Sequence, residues 1–147
     1  MAEIHLKSLA HSYDTTANPP EYAIRQMDHV WHDGGAFALL GPSGCGKSTL
    51  LNIISGLLVP SEGDVLFDGV RVNDTPPQDR NIAQVFQFPV VYDTMTVFDN
   101  LAFPLRNMKA GTAKINTKVR EIAEILELTD VLDKKAANLT ADEKQKV

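Results

Sequence analysis

The sequence has a single cysteine, Cys45, which excludes an internal disulfide and fits a protein kept in a reducing compartment. It also has no excess of basic residues, since 14 Lys and Arg stand against 19 Asp and Glu for a formal net charge of −5. A nucleic-acid surface needs a basic stripe, so we expect no nucleic-acid partner. No apolar run approaches the roughly 18 residues that span a bilayer, and no secretion signal precedes the first segment. We therefore expect a cytoplasmic chain.

What the sequence does contain is a glycine-rich run, residues 41–49, that fits G-x-x-x-x-G-K-[ST], the phosphate-binding loop of nucleoside triphosphatases. Glycines let backbone N–H groups approach phosphate oxygens closely. Lys47 supplies a compact positive charge, and the Ser48 hydroxyl is suited to bind Mg²⁺. The positions that we expect to contact ATP are Gly41, Ser43, Gly44, Cys45, Gly46, Lys47, Ser48 and Thr49, with Lys47 also in a catalytic role.

The neighbours of this loop strengthen the prediction. The apolar run Ala36–Leu40 before it predicts a buried strand. Residues 48–58 after it carry Leu50, Ile53, Ile54 and Leu57 on one helical face, with Pro60 as the stop. Strand, loop and helix in this order direct a helix N-terminus at a phosphate.

The rest of the chain mixes strand and helix patterns, so the predicted class is α/β: part of a phosphate-loop core, an antiparallel β layer and a helical subdomain. The predicted strands are Ile4–Leu9, 22–27, a hairpin over 64–72 turned at Asp68-Gly69, and Ile82–Phe86. The predicted helices run from a Thr96 cap to Phe103, from Thr112 to Leu128, and from a capping box at Thr140 and Glu143. We place the partial ATP-binding core at 1–95 and the helical subdomain at 96–147.

Several motifs in order resemble the nucleotide-binding subunit of an ATP-binding cassette importer. The clearest are Val85-Phe86-Gln87 and the run Met95-Thr96-Val97-Phe98-Asp99-Asn100-Leu101-Ala102-Phe103. The sequence of these two segments resembles most the carbohydrate-import subunits of the family, and residues 139–147 look similar to a glycerol-importing branch. The resemblance follows the N-terminal part of that family over residues 4–147.

The resemblance assigns further roles. It implies that Tyr13 stacks on adenine and that the Gln87 amide acts in catalysis, reaching Mg²⁺ or the attacking water. It implies that Phe88, Val90, Val91 and Tyr92 contact a membrane partner. The implied partners are transmembrane permease subunits, a second ATPase subunit, identical or different, and indirectly a periplasmic solute-binding protein. The implied location is the cytoplasmic face of the cell membrane, and the implied solute is a sugar or a glycerol-like polyol.

One departure from the family lies at residues 139–143. The family has Leu-Ser-Gly-Gly-Gln there, with N–H groups that touch the γ-phosphate of the opposite subunit, whereas this chain has Leu-Thr-Ala-Asp-Glu. Thr140 can still cap the helix and donate a hydrogen bond. Asp142 and Glu143, however, place two carboxylates in the first helix turn, whose partial positive charge should favour phosphate. Either this half of the composite site is degenerate, or Glu143 merely completes a capping box and the site works.

The family's later motifs, an Asp-Glu strand and a γ-phosphate-sensing His, are not found in residues 1–147. We therefore expect the chain to be a fragment that binds nucleotide but hydrolyses it poorly, with a run at 36–40 left unpaired and prone to self-association. Two alternatives stay open: a non-hydrolysing nucleotide-dependent interaction module, and a small phosphate-loop kinase. The kinase leaves Gln87 and the 95–103 run unexplained.

Overall fold

The computed structural model describes residues 2–147, which form two compact units that divide between Gln84 and Val85. Each unit has its own apolar core. The division falls before the 95/96 boundary proposed from the sequence. That earlier boundary rested on the start of a helix, whereas compactness depends on which segments pack together.

The first unit is built on an antiparallel sheet in the order β2-β1-β3-β4. Its strands are β1 (Ile4–His11), β2 (Ile24–Trp31), β3 (Glu62–Phe67) and β4 (Val70–Arg71). The hairpin between β3 and β4 turns at Asp68 and Gly69, whose φ angles of 48° and 78° suit the tight turn that an Asp-Gly pair favours. The predicted antiparallel β layer is therefore confirmed.

Strand β1 contains a bulge near Ser8. Ser8 has a φ of 47°, and close to it β1 shifts register in its pairing with β2 and in its pairing with β3. The simple inside–outside alternation stops there, and Leu9, Ala10 and His11 are all buried in succession. The bulge thus determines which side chains the end of β1 brings toward the phosphate loop.

The loop helix, α1 (Lys47–Ser55), packs its apolar face on the sheet. Leu50 and Ile53 lie in the same buried cluster as Leu6, Leu9 and Val65. The helix ends at Gly56, which adopts a left-handed φ of 83°, so the predicted extension to the residues before Pro60 is wrong. A short 3₁₀ turn, Pro77–Asp79, follows the sheet.

Two predicted strands, Ala36–Leu40 and Ile82–Phe86, are absent and their residues are largely exposed. Leu40 is 88% and Val85 84% exposed. A strand is stable only when its N–H and C=O groups pair with a neighbour, and neither segment pairs with another strand of the described residues. Residues 36–40 are thus unpaired, as expected from the sequence, although they do not form the predicted strand; at 82–86 the predicted strand is wrong.

The second unit is helical, with α2 (Val97–Asn107), α3 (Thr112–Ile125) and α4 (Ala141–Lys146), and 3₁₀ turns at Thr129–Val131 and Ala136–Asn138. Thr96 caps α2 as predicted, because its side chain accepts the Asp99 N–H. The predicted end at Phe103 is wrong: Pro104 removes one N–H, but the helix continues and Leu105 packs on the core. Within residues 2–147, no helix combines the length and apolar character needed to cross a bilayer.

Candidate nucleotide site

The glycine loop reaches α1 through a backbone conformation that only glycine tolerates well. Gly46, the residue before the helix, has a φ of 91°, and a Cβ added there would lie 2.4 Å from the carbonyl oxygen of Ala23. The loop therefore packs directly on the chain entering β2. The sequence pattern predicted this glycine for phosphate approach, and the structure adds a packing reason for it.

The first turn of α1 has no side-chain cap. Gly46 offers no side-chain cap hydrogen bond, and no acidic residue lies in that turn. The leading N–H groups of a helix have no intrahelical partner and carry the positive end of the helix dipole. This turn can therefore bind an anion.

Lys47 folds back over the loop that precedes it. Its ammonium group donates to the carbonyl oxygens of Gly41 at 2.8 Å and Pro42 at 2.7 Å, and lies 3.5 Å from the Cys45 sulfur. The charge is thus held above the loop rather than extended into solvent. Two backbone acceptors fix its position, which reduces the side-chain entropy lost when an anion binds.

The hydroxyl-bearing residues of the loop differ in their availability. Ser43 and Ser48 are exposed, and among residues 2–147 neither hydroxyl has a hydrogen-bond partner. Thr49 is buried, and its hydroxyl lies 3.0 Å from the Tyr13 hydroxyl. Thr49 therefore connects the loop helix to Tyr13 through its side chain, and only its backbone N–H remains to face an anion.

Tyr13 borders the same cleft as the loop. The cleft has a volume of about 720 Å³, and Gly44, Cys45 and Lys47 line it together with Tyr13. Tyr13 is 69% exposed, although its hydroxyl lies within hydrogen-bond distance of the Thr49 hydroxyl. An aromatic face open to a cleft beside an anion-binding turn is the arrangement that a nucleotide base and its phosphates need.

The other two predicted site residues, Gln87 and Thr140, belong to the second unit. Gln87 is exposed in a loop, and the adjacent Phe86 carbonyl accepts a hydrogen bond from Gln145 of α4 at 3.3 Å. The structure therefore brings the Gln87 loop and the Thr140 helix together within this unit.

The N-terminus of α4 is closed by a complete capping box. The Thr140 hydroxyl accepts the Glu143 N–H at 3.2 Å, and the Glu143 carboxylate accepts the Thr140 N–H at 2.8 Å. The hydrogen bonds that the carboxylate accepts from the Thr140 backbone N–H and then from the Thr140 side chain lower the pKa of Glu143. Lys144 pairs with Asp93 at 2.9 Å and Lys146 with Asp142 at 3.4 Å, so both lysines already have acidic partners.

Three aromatic or apolar side chains next to Gln87 are open to solvent. Phe88 is 75%, Val90 76% and Tyr92 52% exposed. Val91, expected with them as a contact residue, instead packs against the core of the second unit. Tyr92 keeps one ring contact, with Phe103 at a centroid distance of 5.0 Å.

Two residues near α1 escaped the sequence analysis. Arg80 is buried and donates to four backbone carbonyls, two of them at the end of α1. His11 is buried against the Tyr13 ring. A lone Arg after a Pro-Pro loop has no motif of its own; the spacing of His11 two residues before Tyr13 was the one available signal.

Comparison with known proteins gives a consistent result. The sequence profile described as ABC transporter matches residues 24–147. The chain is 44% identical over 147 residues to the trehalose import ATP-binding protein SugC of Mycobacterium tuberculosis, covering all of this chain and 36% of that protein. It is 41% identical over 147 residues to the sn-glycerol-3-phosphate import ATP-binding protein UgpC of Yersinia enterocolitica, covering all of this chain and 40% of that one. The chain thus spans well under half the length of these relatives.

Solved structures agree on the fold. A dimeric ATP-binding cassette in a post-hydrolysis state, bound to ADP and phosphate, is 27% identical, with a TM-score of 0.83 over 97% of this chain and 66% of that one. CbiO1 of Clostridium perfringens, part of the ABC transporter complex CbiONQ, is 25% identical, with a TM-score of 0.80 over 97% of this chain and 57% of that one. The α/β fold class is confirmed.

Proposed function

The chain belongs to the ABC transporter family, and we propose that it binds ATP with Mg²⁺ at residues 41–49 as part of the ATPase subunit of a solute importer. The observation that carries the proposal is the uncapped first turn of α1 beneath a lysine held over its own loop. Free N–H groups and a fixed ammonium charge form a site for a polyphosphate.

Lys47 is the main cationic group of this site. Its hydrogen bonds to Gly41 and Pro42 are short, whereas its contact with the Cys45 sulfur is long and weak. A phosphate oxygen can replace the sulfur without displacing the ammonium group. The same charge then stabilises the negative charge that develops during phosphoryl transfer, which is the catalytic role that we assign to Lys47.

Ser48 fits the role of a magnesium ligand. Its hydroxyl is exposed, has no hydrogen-bond partner within the described residues, and lies in the first turn of α1. An oxygen ligand from the protein beside phosphate oxygens is the donor set that Mg²⁺ prefers. When bound, Mg²⁺ would supply further neutralisation of phosphate charge; the role of the Gln87 amide toward Mg²⁺ or the attacking water stays a prediction from the sequence.

Tyr13 is the proposed contact for the base. Its exposed ring lines the cleft beside Gly44 and Lys47, so a nucleotide can lie with its phosphates on the loop and its adenine on the ring. Stacking of a base on an aromatic side chain contributes about 1–3 kcal/mol.

Alkylation of Cys45 tests nucleotide binding directly, because it is the single thiol and is exposed inside the loop. At ATP about ten times its Kd, nine-tenths of the loops are occupied, so we expect N-ethylmaleimide to react about tenfold more slowly. The mass shift of the intact chain measures the rate. Lys47→Ala, with weakened binding, should lose the protection. Equal rates with and without Mg-ATP would contradict the site.

The importer role rests on the relatives, whose names specify import of trehalose and of sn-glycerol-3-phosphate. We propose a sugar or polyol phosphate as the solute, permease subunits as membrane partners, a second ATPase subunit, and a solute-binding protein outside the membrane. The exposed Phe88, Val90 and Tyr92 offer a contact surface for the permease. Cells whose full-length protein carries Lys47→Ala should lose uptake of one labelled solute of this class; normal uptake of all of them would reject the role.

The capping box supports the alternative in which residues 139–143 form a degenerate half of the composite site. The Glu143 carboxylate occupies the Thr140 N–H, so a phosphate approaching the first turn of α4 meets a negative charge. In the family, this helix faces the nucleotide of the opposite subunit. Thr140 is therefore proposed as a weakened contact.

Removing these charges should raise ATPase turnover of the full-length protein. Glu143→Gln keeps the capping box and removes one charge, and Ala141→Gly with Asp142→Gly restores close backbone approach. Removing a charge of the same sign as the phosphate lowers the repulsion there, so we expect a severalfold rise in kcat for Glu143→Gln. The exposed Glu124→Gln on α3 is the control. Unchanged turnover in both designs would show that the Thr-Ala-Asp-Glu turn functions as it stands.

A further inference from the structure

A buried histidine supports the exposed ring of Tyr13. His11 is the last residue of β1 and is only 5% exposed. Its imidazole lies with a ring-centroid distance of 4.8 Å and an interplanar angle of 86° from the Tyr13 ring. This edge-on geometry is a favourable one for aromatic pairs. The Tyr13 ring is therefore held from two sides, by His11 and by the hydroxyl contact with Thr49.

The hydrogen bonds around His11 define its protonation. The Ser61 hydroxyl donates to the Ser12 carbonyl at 3.0 Å and accepts the Ser12 N–H at 3.2 Å. Because the single hydrogen of Ser61 is used, Nδ1 of His11, at 3.1 Å, is the donor to that hydroxyl. Nε2 then carries no hydrogen. It is buried and has no hydrogen-bond partner within residues 2–147.

No charge compensates a protonated His11. On the neighbouring strands, Glu62 accepts the Tyr22 hydroxyl at 2.7 Å, and Arg25 follows Ile24, the residue paired with His11. On the loop after β1, Asp14 accepts hydrogen bonds from Thr16. In the described part of the chain, none of these groups bonds to His11, and the phenol of Tyr13 is its one titratable ring neighbour.

The direction of the pH effect follows from this environment. Burial lowers the pKa of His11, so the ring is neutral at pH 7. A solvent-exposed imidazole takes up a proton at higher pH than this buried one. As the pH falls below the ordinary histidine value of about 6.5, conformations that expose the ring therefore gain over the packed one.

We propose that His11 is a positioning residue, whose neutral ring holds Tyr13 as the surface on which adenine stacks and whose protonation withdraws that support. The inference rests on the proposed function, because it requires a nucleotide in this cleft. It predicts that His11 affects the base-dependent part of binding and leaves the phosphate-dependent part unchanged.

Comparison of ATP with inorganic tripolyphosphate separates these two parts. Loss of an aromatic pair corresponds to about a 2- to 10-fold effect, so His11→Ala should weaken ATP binding by that factor at pH 7.5. Its affinity for tripolyphosphate should stay that of the wild type, since this ligand has no base. His11→Phe, which keeps a ring against Tyr13, should regain most of the lost ATP affinity. Titration calorimetry on the 147-residue chain measures both ligands.

The pH profile supplies the second readout. Between pH 7.5 and 5.5 the wild-type ratio of ATP to tripolyphosphate affinity should fall severalfold, while in His11→Phe the ratio should stay constant. The ratio cancels most of the protonation of the phosphates themselves. His32→Ala is the matched control, because the His32 side chain is 79% exposed on the same unit, and its profile should follow the wild type.

The outcomes of these measurements separate the positioning role of His11 from the proposed binding of a nucleotide in the cleft. If neither ligand binds the wild type, the proposed function fails and the inference falls with it. If both bind but His11→Phe retains the wild-type pH profile, the inference alone is overturned, and this comparison holds even if His11→Ala does not fold. Parallel loss of ATP and tripolyphosphate affinity in His11→Ala would likewise assign His11 a merely structural role.

Discussion

Lys47→Ala should weaken Mg-ATP binding by about 100-fold. Its ammonium group is the charge held over the loop, and a charge-assisted hydrogen bond to phosphate contributes about 1.5–3 kcal/mol. The upper value corresponds to about two decades in Kd. The fold should persist, because Lys47 donates only to exposed loop carbonyls. Titration calorimetry measures the affinity, and circular dichroism reports whether the variant is folded.

The control for Lys47 is Lys114→Ala, which removes the same charge from the exposed surface of α3. It should bind Mg-ATP as the wild type does. A Kd for Lys47→Ala within threefold of the wild-type value would show that the loop does not bind the phosphates through this side chain. The result would also remove the main support for the proposed catalytic role of Lys47.

Arg80→Ala should lower the free energy of unfolding of the first unit by about 3–5 kcal/mol. The buried guanidinium donates to the carbonyls of Thr75 at 2.8 Å, Ile53 and Ile54 at 2.9 Å, and Asn73 at 3.3 Å. Its removal takes one donor from each of these carbonyls, two of them in buried and two in partly buried surroundings, and empties the space that the guanidinium fills. Burial lowers the pKa of Arg80, but a guanidinium keeps its charge at neutral pH. Because whole domains are stable by only about 5–15 kcal/mol, the loss is large.

Two arginine controls make this prediction specific. Arg71→Ala removes a surface guanidinium that pairs with Asp64 and Asp74, and it should leave the urea midpoint close to that of the wild type, because exposed ion pairs contribute little to stability. Arg80→Lys keeps the charge but not the planar donor fork, so it should recover only part of the loss. Urea unfolding followed by the fluorescence of Trp31, the single tryptophan and a β2 residue, reports on the first unit. Equal midpoints for Arg71→Ala and Arg80→Ala would contradict the role of Arg80.

The residues behind these predictions differ in whether the sequence alone identifies them. Lys47 was identified from the spacing of the glycine loop, because the pattern itself encodes the function of each position. Arg80 could not be identified, since its four acceptors lie in separate segments that only the fold brings together. His11 was close to a predicted residue, but its burial depends on the bulge at Ser8.

The failed strand predictions have a physical cause of the same kind. Residues 36–40 and 82–86 have the apolar composition of buried strands, yet both are exposed and unpaired in the structure. A strand needs a partner, and pairing is a property of the whole sheet rather than of the segment. Helix caps are different, because Thr96 with Asp99 and Thr140 with Glu143 interact within one turn.

By itself the sequence determined the features whose contacts lie within a few residues of each other: the phosphate loop, the helix caps and the Asp68-Gly69 turn. Tertiary structure alone decided that Tyr13 meets Thr49, that His11 supports Tyr13, and that Arg80 holds the end of α1. The physical reason is that backbone geometry fixes short-range contacts locally, whereas contacts between distant segments depend on strand register, bulges and core packing across the unit.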